Sequence, residues 1–326
     1  MSSFLSHRRA LLGIVAIAAA VAVPLVAGSA PAAAAGIRVS TAAQLTAALK
    51  AASPGDTIVL ADGQYRGTFV AARDGGAAAP ITLTGSRGAV LTTGSTGSGY
   101  ALSITGDHWN VTGLSVSGAK KGIVLDGSDG TRLDRLDVGS TGEEAVHVRT
   151  NSTGAVVSDS VIHDTGLTTP DYGEGIYVGS AASNWSSITG SSSRPDRSDG
   201  VVISGNLIRH TSAEGIDIKE GTTGGRISGN RFVDAGYSGA NYADSWVDLK
   251  GNGYLVENNS GSGAATDAFQ VHVALSGWGV GNVFRGNGAV SGVPGYEVNV
   301  QKGASGTVVA CGPSGAARGL SNIPCG

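Results

Sequence analysis

Two short stretches carry the residues best suited to chemistry. They are Glu214-Gly215-Ile216-Asp217-Ile218-Lys219 and Ser245-Trp246-Val247-Asp248-Leu249-Lys250. In each, an aspartate and a lysine stand two apart, so an extended strand points both to one face. Carboxylates and ammonium groups gathered this way can hold a metal ion, neutralise an anionic substrate or move a proton. The same frame of acid, small, apolar, polar, apolar, polar recurs. Glu144-Ala145-Val146-His147-Val148-Arg149, Glu174-Gly175-Ile176-Tyr177-Val178-Gly179 and Asp267-Ala268-Phe269-Gln270-Val271-His272 are further copies. Tyr296-Glu297-Val298-Asn299-Val300-Gln301 is a weaker last one.

Period-two alternation predicts a short strand in every copy. Repetition at intervals of a few tens of residues predicts a solenoid, whose units bury their apolar faces by stacking on one another. Stacking would align the outward positions in two columns. One is His147, Tyr177, Asp217, Asp248, Gln270, Asn299; the other is Arg149, Gly179, Lys219, Lys250, His272, Gln301. Adjacent strands lie about 4.8 Å apart, so the two Asp-x-Lys pairs would share one small area. Glu174 and Glu214 sit at strand entrances with inward parity. The preceding turn is expected to swing them outward, because an unpaired buried carboxylate is costly. The oxygen ligands of Glu174, Glu214, Asp217 and Asp248 suit Ca²⁺. Zinc fits less well, since His147, His163, His210 and His272 lack tight ligand spacing. The bland reading of the same ladder is a solvated face held by weak surface ion pairs.

The copies begin 30, 40, 31, 22 and 29 residues apart. A bare coil needs about twenty residues by analogy with known repeats, so the excess must be loops. The longest, residues 180–200, carries Trp185; another, 235–243, carries Tyr242. Loops beside one face of a rigid scaffold are where binding is usually built.

The remaining elements would serve that scaffold. Thr41-Ala42-Ala43-Gln44 has the form of a capping box, and Leu45 and Leu49 share a helical face ahead of Pro54-Gly55. A helix over 41–52 would cover the open end of the solenoid. A second repeated element ends in asparagine, as at Asn206, Asn230, Asn258-Asn259 and Asn287. These suit left-handed turn positions and side-chain ladders, a structural role. The 53 glycines among 326 residues are roughly double the usual ~7%, as many tight turns require. A net charge of −3 and 5% aromatic residues exclude a nucleic-acid partner, for want of a basic patch and a stacking platform.

Residues 1–35 read as an export signal: His7-Arg8-Arg9, an apolar stretch from Leu11 to Ala27, and Ala33-Ala34-Ala35 before Gly36. A secreted, extracellular protein is expected, with a mature β-helix domain over 36–326 and no membrane association after cleavage. The two cysteines, Cys311 and Cys325, are expected to form a disulfide over the C-terminal loop.

The stretch from Ala51 to Tyr65, Ala51-Ala52-Ser53-Pro54-Gly55-Asp56-Thr57-Ile58-Val59-Leu60-Ala61-Asp62-Gly63-Gln64-Tyr65, resembles the opening of secreted right-handed parallel β-helix polysaccharide lyases. Chondroitinase B-like and alginate lyase-like enzymes of the pectin lyase-like superfamily share it. Ala79-Pro80-Ile81-Thr82-Leu83 and Trp109-Asn110-Val111-Thr112-Gly113-Leu114 are similar too. The strand from Glu214 to Lys219 resembles the metal-ligand and basic strand of those lyases and of family 9 pectate lyases. The resemblance implies an all-β, single-stranded right-handed parallel β-helix with a short N-terminal capping helix. It also implies Ca²⁺ on acidic side chains and a lysine as Brønsted base.

Two departures are visible: the acids stand three apart rather than two, and Asp248-Leu249-Lys250-Gly251 replaces a Leu-Arg-His-Gly strand. The polygalacturonase Gly-His-Gly pattern is absent. The expected activity is Ca²⁺-assisted β-elimination on an acidic, uronate polysaccharide by a monomer. Lys219 or Lys250 would be the base, and Arg149, Tyr177 or His272 the proton donor. His147, Tyr177 and Gln270 would face the substrate, with Trp185, Tyr242 and Trp246 stacking on sugar rings. A glycoside hydrolase using a carboxylate pair and a non-catalytic glycan-binding protein are the alternatives.

Overall fold

Every copy of the acid–apolar pattern folds as a short strand: Val146–Arg149, Ile176–Val178, Ile216–Ile218, Val247–Leu249, Phe269–Val271 and Val298–Val300. In this computed structural model, which describes residues 1–2, 36–238, 243–288 and 290–326, the strands pair in parallel. The export signal expected over 1–35, its first two residues apart, and Tyr242 lie outside the described residues. Among the described residues, no helix is long and apolar enough to cross a membrane.

Among the described residues, the elements run from Ile37 to Val309 within one compact unit. Three parallel sheets, one of eleven strands and two of nine, run the length of a β-solenoid. The six pattern strands belong to one nine-stranded sheet, called here the site sheet, which Phe69–Ala71, Tyr100–Ile104 and Lys121–Asp126 complete. Its register has no slip: His147 pairs with Tyr177, Tyr177 with Asp217, Asp217 with Asp248, Asp248 with Gln270, and Gln270 with Asn299. The outward column expected from alternation is therefore real, and Asp248 lies one coil beyond Asp217.

Apolar side chains fill the interior of the coils. Phe232 and Trp246 stack with ring centres 5.6 Å apart, and Phe269 meets both edge-on. Trp246 is fully buried, and its indole N–H donates to the Gly263 carbonyl at 2.6 Å. This corrects the expectation that it stacks on sugar. Its ring fills the coil interior, and a Cβ built on Gly261 would meet Phe232 O at 2.6 Å and the Trp246 ring at 3.0 Å, so only glycine fits there.

The asparagines form the expected ladder in the turns beside the eleven-stranded sheet. The Asn230 Oδ1 accepts from Asn206 N at 3.0 Å and Nδ2 at 2.9 Å, while its own Nδ2 reaches Ile203 O at 2.9 Å and Asn259 Oδ1 at 3.0 Å. The left-handed positions belong to the preceding residues, Gly205, Gly229, Asn258 and Gly286. At the N-terminal end, a helix over Ala42–Ala51 buries Leu45, Ala48 and Leu49. Thr41 Oγ1 accepts from Gln44 N at 3.2 Å, but Gln44 Oε1 reaches back to Ser40 N rather than to the cap residue. At the other end Cys311 and Cys325 are disulfide-bonded.

The ladder generates a stability prediction. Asn230→Ala would strip partners from the buried Ile203 carbonyl, the Asn206 amide groups and Asn259 Oδ1. The expected loss is of the order of 3 kcal/mol in urea unfolding. Arg231→Ala, the next residue and exposed, should stay within about 0.5 kcal/mol.

Candidate active site

The ends of five consecutive site-sheet strands converge on one cleft of about 290 Å³, lined by Glu174, Glu214, Asp217, Lys219, Asp248, Lys250, His272 and Gln301 among others. The backbone explains why. Lys219, Lys250 and His272 donate their amide N–H to Val178 O, Ile218 O and Leu249 O of the preceding coil, which continues the register past each strand. The second outward column is thus aligned as well.

Across the cleft runs a chain of alternating charge. Lys219 Nζ lies 2.6 Å from Asp217 Oδ2. Lys250 Nζ donates to Asp217 Oδ1 at 2.9 Å and also to Asp248 Oδ2. Asp248 Oδ1 pairs with His272 Nδ1 at 2.7 Å. Asp217 and Asp248 are each only 1% exposed, so this is no solvated surface ladder. Removing one member would leave an uncompensated buried charge.

Burial works against both ammonium groups. The Asp217 carboxylate, helped by Asp248 and Glu214, overrides it and holds Lys219 and Lys250 above their ordinary values. Burial likewise opposes charge on His272, but its hydrogen bond to Asp248 wins and raises it. Asp248 is held below the usual carboxylate range: Lys250 and His272 outweigh its burial.

Glu174 and Glu214 are buried, and both line the cleft. Ligand atoms of Glu174, Glu214 and Asp217 all lie within 4.8 Å of one another. Burial, then the neighbouring Glu144 and Asp217, pushes Glu174 up to about 8. Burial and Asp217 raise Glu214 as well. Glu174 Oε2 is buried without a hydrogen-bond partner. Three crowded carboxylates, one with an orphaned oxygen, fit a hard divalent cation. Asp248 does not join them: its ligand atoms are not among those that cluster, whereas Asp217 shares its two oxygens with Lys219 and Lys250.

Other expected residues sit elsewhere. Arg149 lies two coils before Lys219 and is paired with Asp126 at 3.0 Å. With His147 and Tyr177 it lines a neighbouring compartment. His147 is neutral, pushed down to about 3 by burial and then by Lys121 and Arg149; its Nε2 faces Gly179 O at 3.1 Å. Tyr177 stays a phenol, since burial and then Asp217 raise it, and Lys219 Nζ sits 5.0 Å from its ring centre.

Two expectations are corrected. Trp185 is buried, with its indole N–H on Ser180 O at 2.9 Å, and so anchors the 180–200 loop rather than facing sugar. Gln270 is drawn out of the cleft by Asp244 and Asp267, which take its amide at 2.9 and 3.1 Å. Lys121 and Tyr172 were not anticipated. Lys121 stands outside the Asp-x-Lys frame, and Tyr172 ends a short Pro170–Tyr172 turn that no repeat marks.

Known proteins place this geometry. Residues 98–287 match the family model described as the right handed beta helix region. The crystal structure of an alginate lyase from Paenibacillus sp. str. FPU-7 is 40% identical, over 88% of this chain and 98% of that one, with a TM-score of 0.80. Pectate lyase Pel9A is 16% identical over 83% and 72%, TM-score 0.51, and shares the fold. So does a GH136 lacto-N-biosidase from Eubacterium ramulus, 12% identical over 88% and 68%, TM-score 0.50. No curated protein matches. The chain belongs to the right-handed β-helix family, among its polysaccharide lyases.

The raised glutamates give a pH dependence. Between pH 4.5 and 8 the folded protein keeps a proton on Glu174 that the unfolded chain has lost. Stability without divalent cations should therefore fall as pH rises through that window. Melting temperatures in chelator across the window check this, and Glu174→Gln should flatten the slope.

Proposed function

We propose that this protein cleaves alginate by β-elimination, as an exported monomer, with the Lys219 cleft as its active site. The observation that carries the reading is the 40% identity to an alginate lyase across 88% of the chain. The cleft supports it, because it supplies the parts that such an elimination needs.

The reaction removes the C5 proton beside a uronate carboxylate, breaks the C4–O bond and leaves a 4,5-unsaturated sugar. Glu174, Glu214 and Asp217 would hold Ca²⁺. A cation held there would supply neutralisation of the uronate carboxylate, which lowers the pKa of the C5 proton. Lys219 is the base. It binds only one aspartate, Asp217, and lines both the cleft and the neighbouring compartment. Its resting form is the ammonium, so charge compensation of Asp217 and the glutamates is what frees its lone pair. Lys250 is enclosed between Asp217 and Asp248 and positions the two rather than reacting. His272 is the proton donor to the leaving oxygen. Its Nδ1 is fixed on Asp248, which leaves Nε2 for the substrate, and the same carboxylate favours the imidazolium. Arg149, two coils from Lys219, binds substrate instead.

The test is ultraviolet absorbance of the unsaturated uronate on mixing protein with alginate. Absorbance should rise, fall in chelator and return with Ca²⁺. Lys219→Ala should lower kcat by roughly 10²–10⁴-fold with substrate binding largely kept, because proton abstraction occurs only in the transition state. New reducing ends without absorbance would show a hydrolase. Unchanged activity in Lys219→Ala would remove that lysine from the mechanism.

A further inference from the structure

Past the cleft, toward the C-terminal coils, the outward column continues through Gln270 and Asn299. Beside them opens a crevice of about 470 Å³ that shares no lining residue with the cleft. Its acids are Asp244 and Asp267. The acid that begins most copies of the repeat is missing at Ser245, and Asp244 stands one residue before that place. Its carbonyl accepts from Thr266 N at 2.9 Å, which seats it beside Asp267 of the next coil. Gln270 Nε2 donates to Asp244 Oδ1 at 2.9 Å and to Asp267 Oδ2 at 3.1 Å, so the two carboxylates crowd about one point. Thr266 Oγ1 lies 2.9 Å from the same nitrogen, so three acceptors compete for its two hydrogens. Arg318 also lines the crevice, but its guanidinium lies over the Tyr296 ring, 4.6 Å from the ring centre. Among the described residues, no ion pair reaches either carboxylate.

Asp267 and Gln270 are each 5% exposed, and Gln270 Oε1 is buried without a hydrogen-bond partner. A buried amide oxygen beside two unpaired carboxylates calls for positive charge from outside the chain. Burial raises Asp244; Thr266 and Gln270 oppose the rise and Asp267 adds to it, as befits an acid without a counter-ion. A hydroxyl would serve the amide oxygen but offset neither charge. Asn299 gives its Nδ2 to Asp267 Oδ2 at 2.8 Å, which leaves its Oδ1 for a ligand. Carboxylate and amide oxygens, with no imidazole or sulfur in the lining, are a hard donor set that suits Ca²⁺. The backbone leaves room for it. A Cβ on Gly295 would meet Asp267 Oδ1 at 2.1 Å and Thr266 O at 2.7 Å, so a side chain there would crowd the carboxylate.

We propose that Asp244, Asp267, Gln270 and Asn299 form a divalent-cation site of their own, separate from the Glu174, Glu214 and Asp217 triad, which takes Ca²⁺ and ties three successive coils together. It does not depend on what the cleft does. Two carboxylates make a weak site, with a Kd of about 10⁻⁴–10⁻³ M. It is tested on the full-length protein by equilibrium dialysis against Ca²⁺. Asp244→Asn should bind one equivalent fewer than the wild type, or hold it about tenfold or more weakly, since affinity follows ligand charge. Glu174→Gln alters the cleft triad while keeping the neutral form that burial already favours, and should retain that equivalent. In Glu174→Gln, Ca²⁺ should slow backbone hydrogen exchange across 263–270 and 295–300. In Asp244→Asn it should not, although the variant should melt near the wild type in chelator. Asp244→Asn with the wild type's stoichiometry and affinity would overturn the proposal. So would a Glu174→Gln protein whose exchange in those two segments ignores Ca²⁺. Should Asp244→Asn fail to fold, the exchange pattern of Glu174→Gln decides alone: protection there upholds the site, and its absence overturns it.

Discussion

Lys219, Lys250 and His272 each give their backbone N–H to a carbonyl of the coil before, and the strands that precede them pair without slip. That ladder sets the distance between side chains far apart in sequence. A one-residue slip would send every outward group into the core and every apolar one to solvent. The chain from Lys219 through Asp217, Lys250 and Asp248 to His272 exists because three coils cannot shift against one another. The packed interior around Phe232, Trp246 and Phe269 and the asparagine ladder in the turns keep them so.

The charge chain has its own logic. Carboxylates at 1% exposure cannot stand ionised without partners. Each lysine and the imidazole therefore compensate an aspartate, while the aspartates hold the three cations in place. Glu174 and Glu214 are left over, with no cation assigned to them. Their raised values are the physical expression of that surplus. The same surplus fits the triad to a divalent ion, whose charge would lower the proton affinity of Lys219 next door.

Period-two alternation made the site sheet legible, and with it both outward columns, because alternation and register are the same information in a solenoid. The capping helix and the asparagine ladder were readable from local chemistry. The aromatic residues were not. Trp246 occupies the place held by alanine or glycine in four of the other copies, and nothing in its own copy tells an interior ring from an exposed one. Its role shows only against distant Phe232 and Gly261, which pack with it inside the coils. Gln270 keeps its place in the column but is captured by Asp244 and Asp267, a contact that the repeat does not encode. The 180–200 loop was expected beside the site, but not that Trp185 turns inward onto Ser180 O, because loops follow no period.

That loop is spliced between two coils whose strands still pair residue for residue, Tyr177 with Asp217. Forty residues separate the starts of these copies where twenty-two suffice later in the chain. The scaffold thus separates two kinds of inheritance. Positions on the strands are bound to their neighbours and change together or not at all. A segment inserted between coils can be lengthened, shortened or exchanged while the strands on either side keep their register, so the walls beside the cleft are free to diverge above a conserved floor.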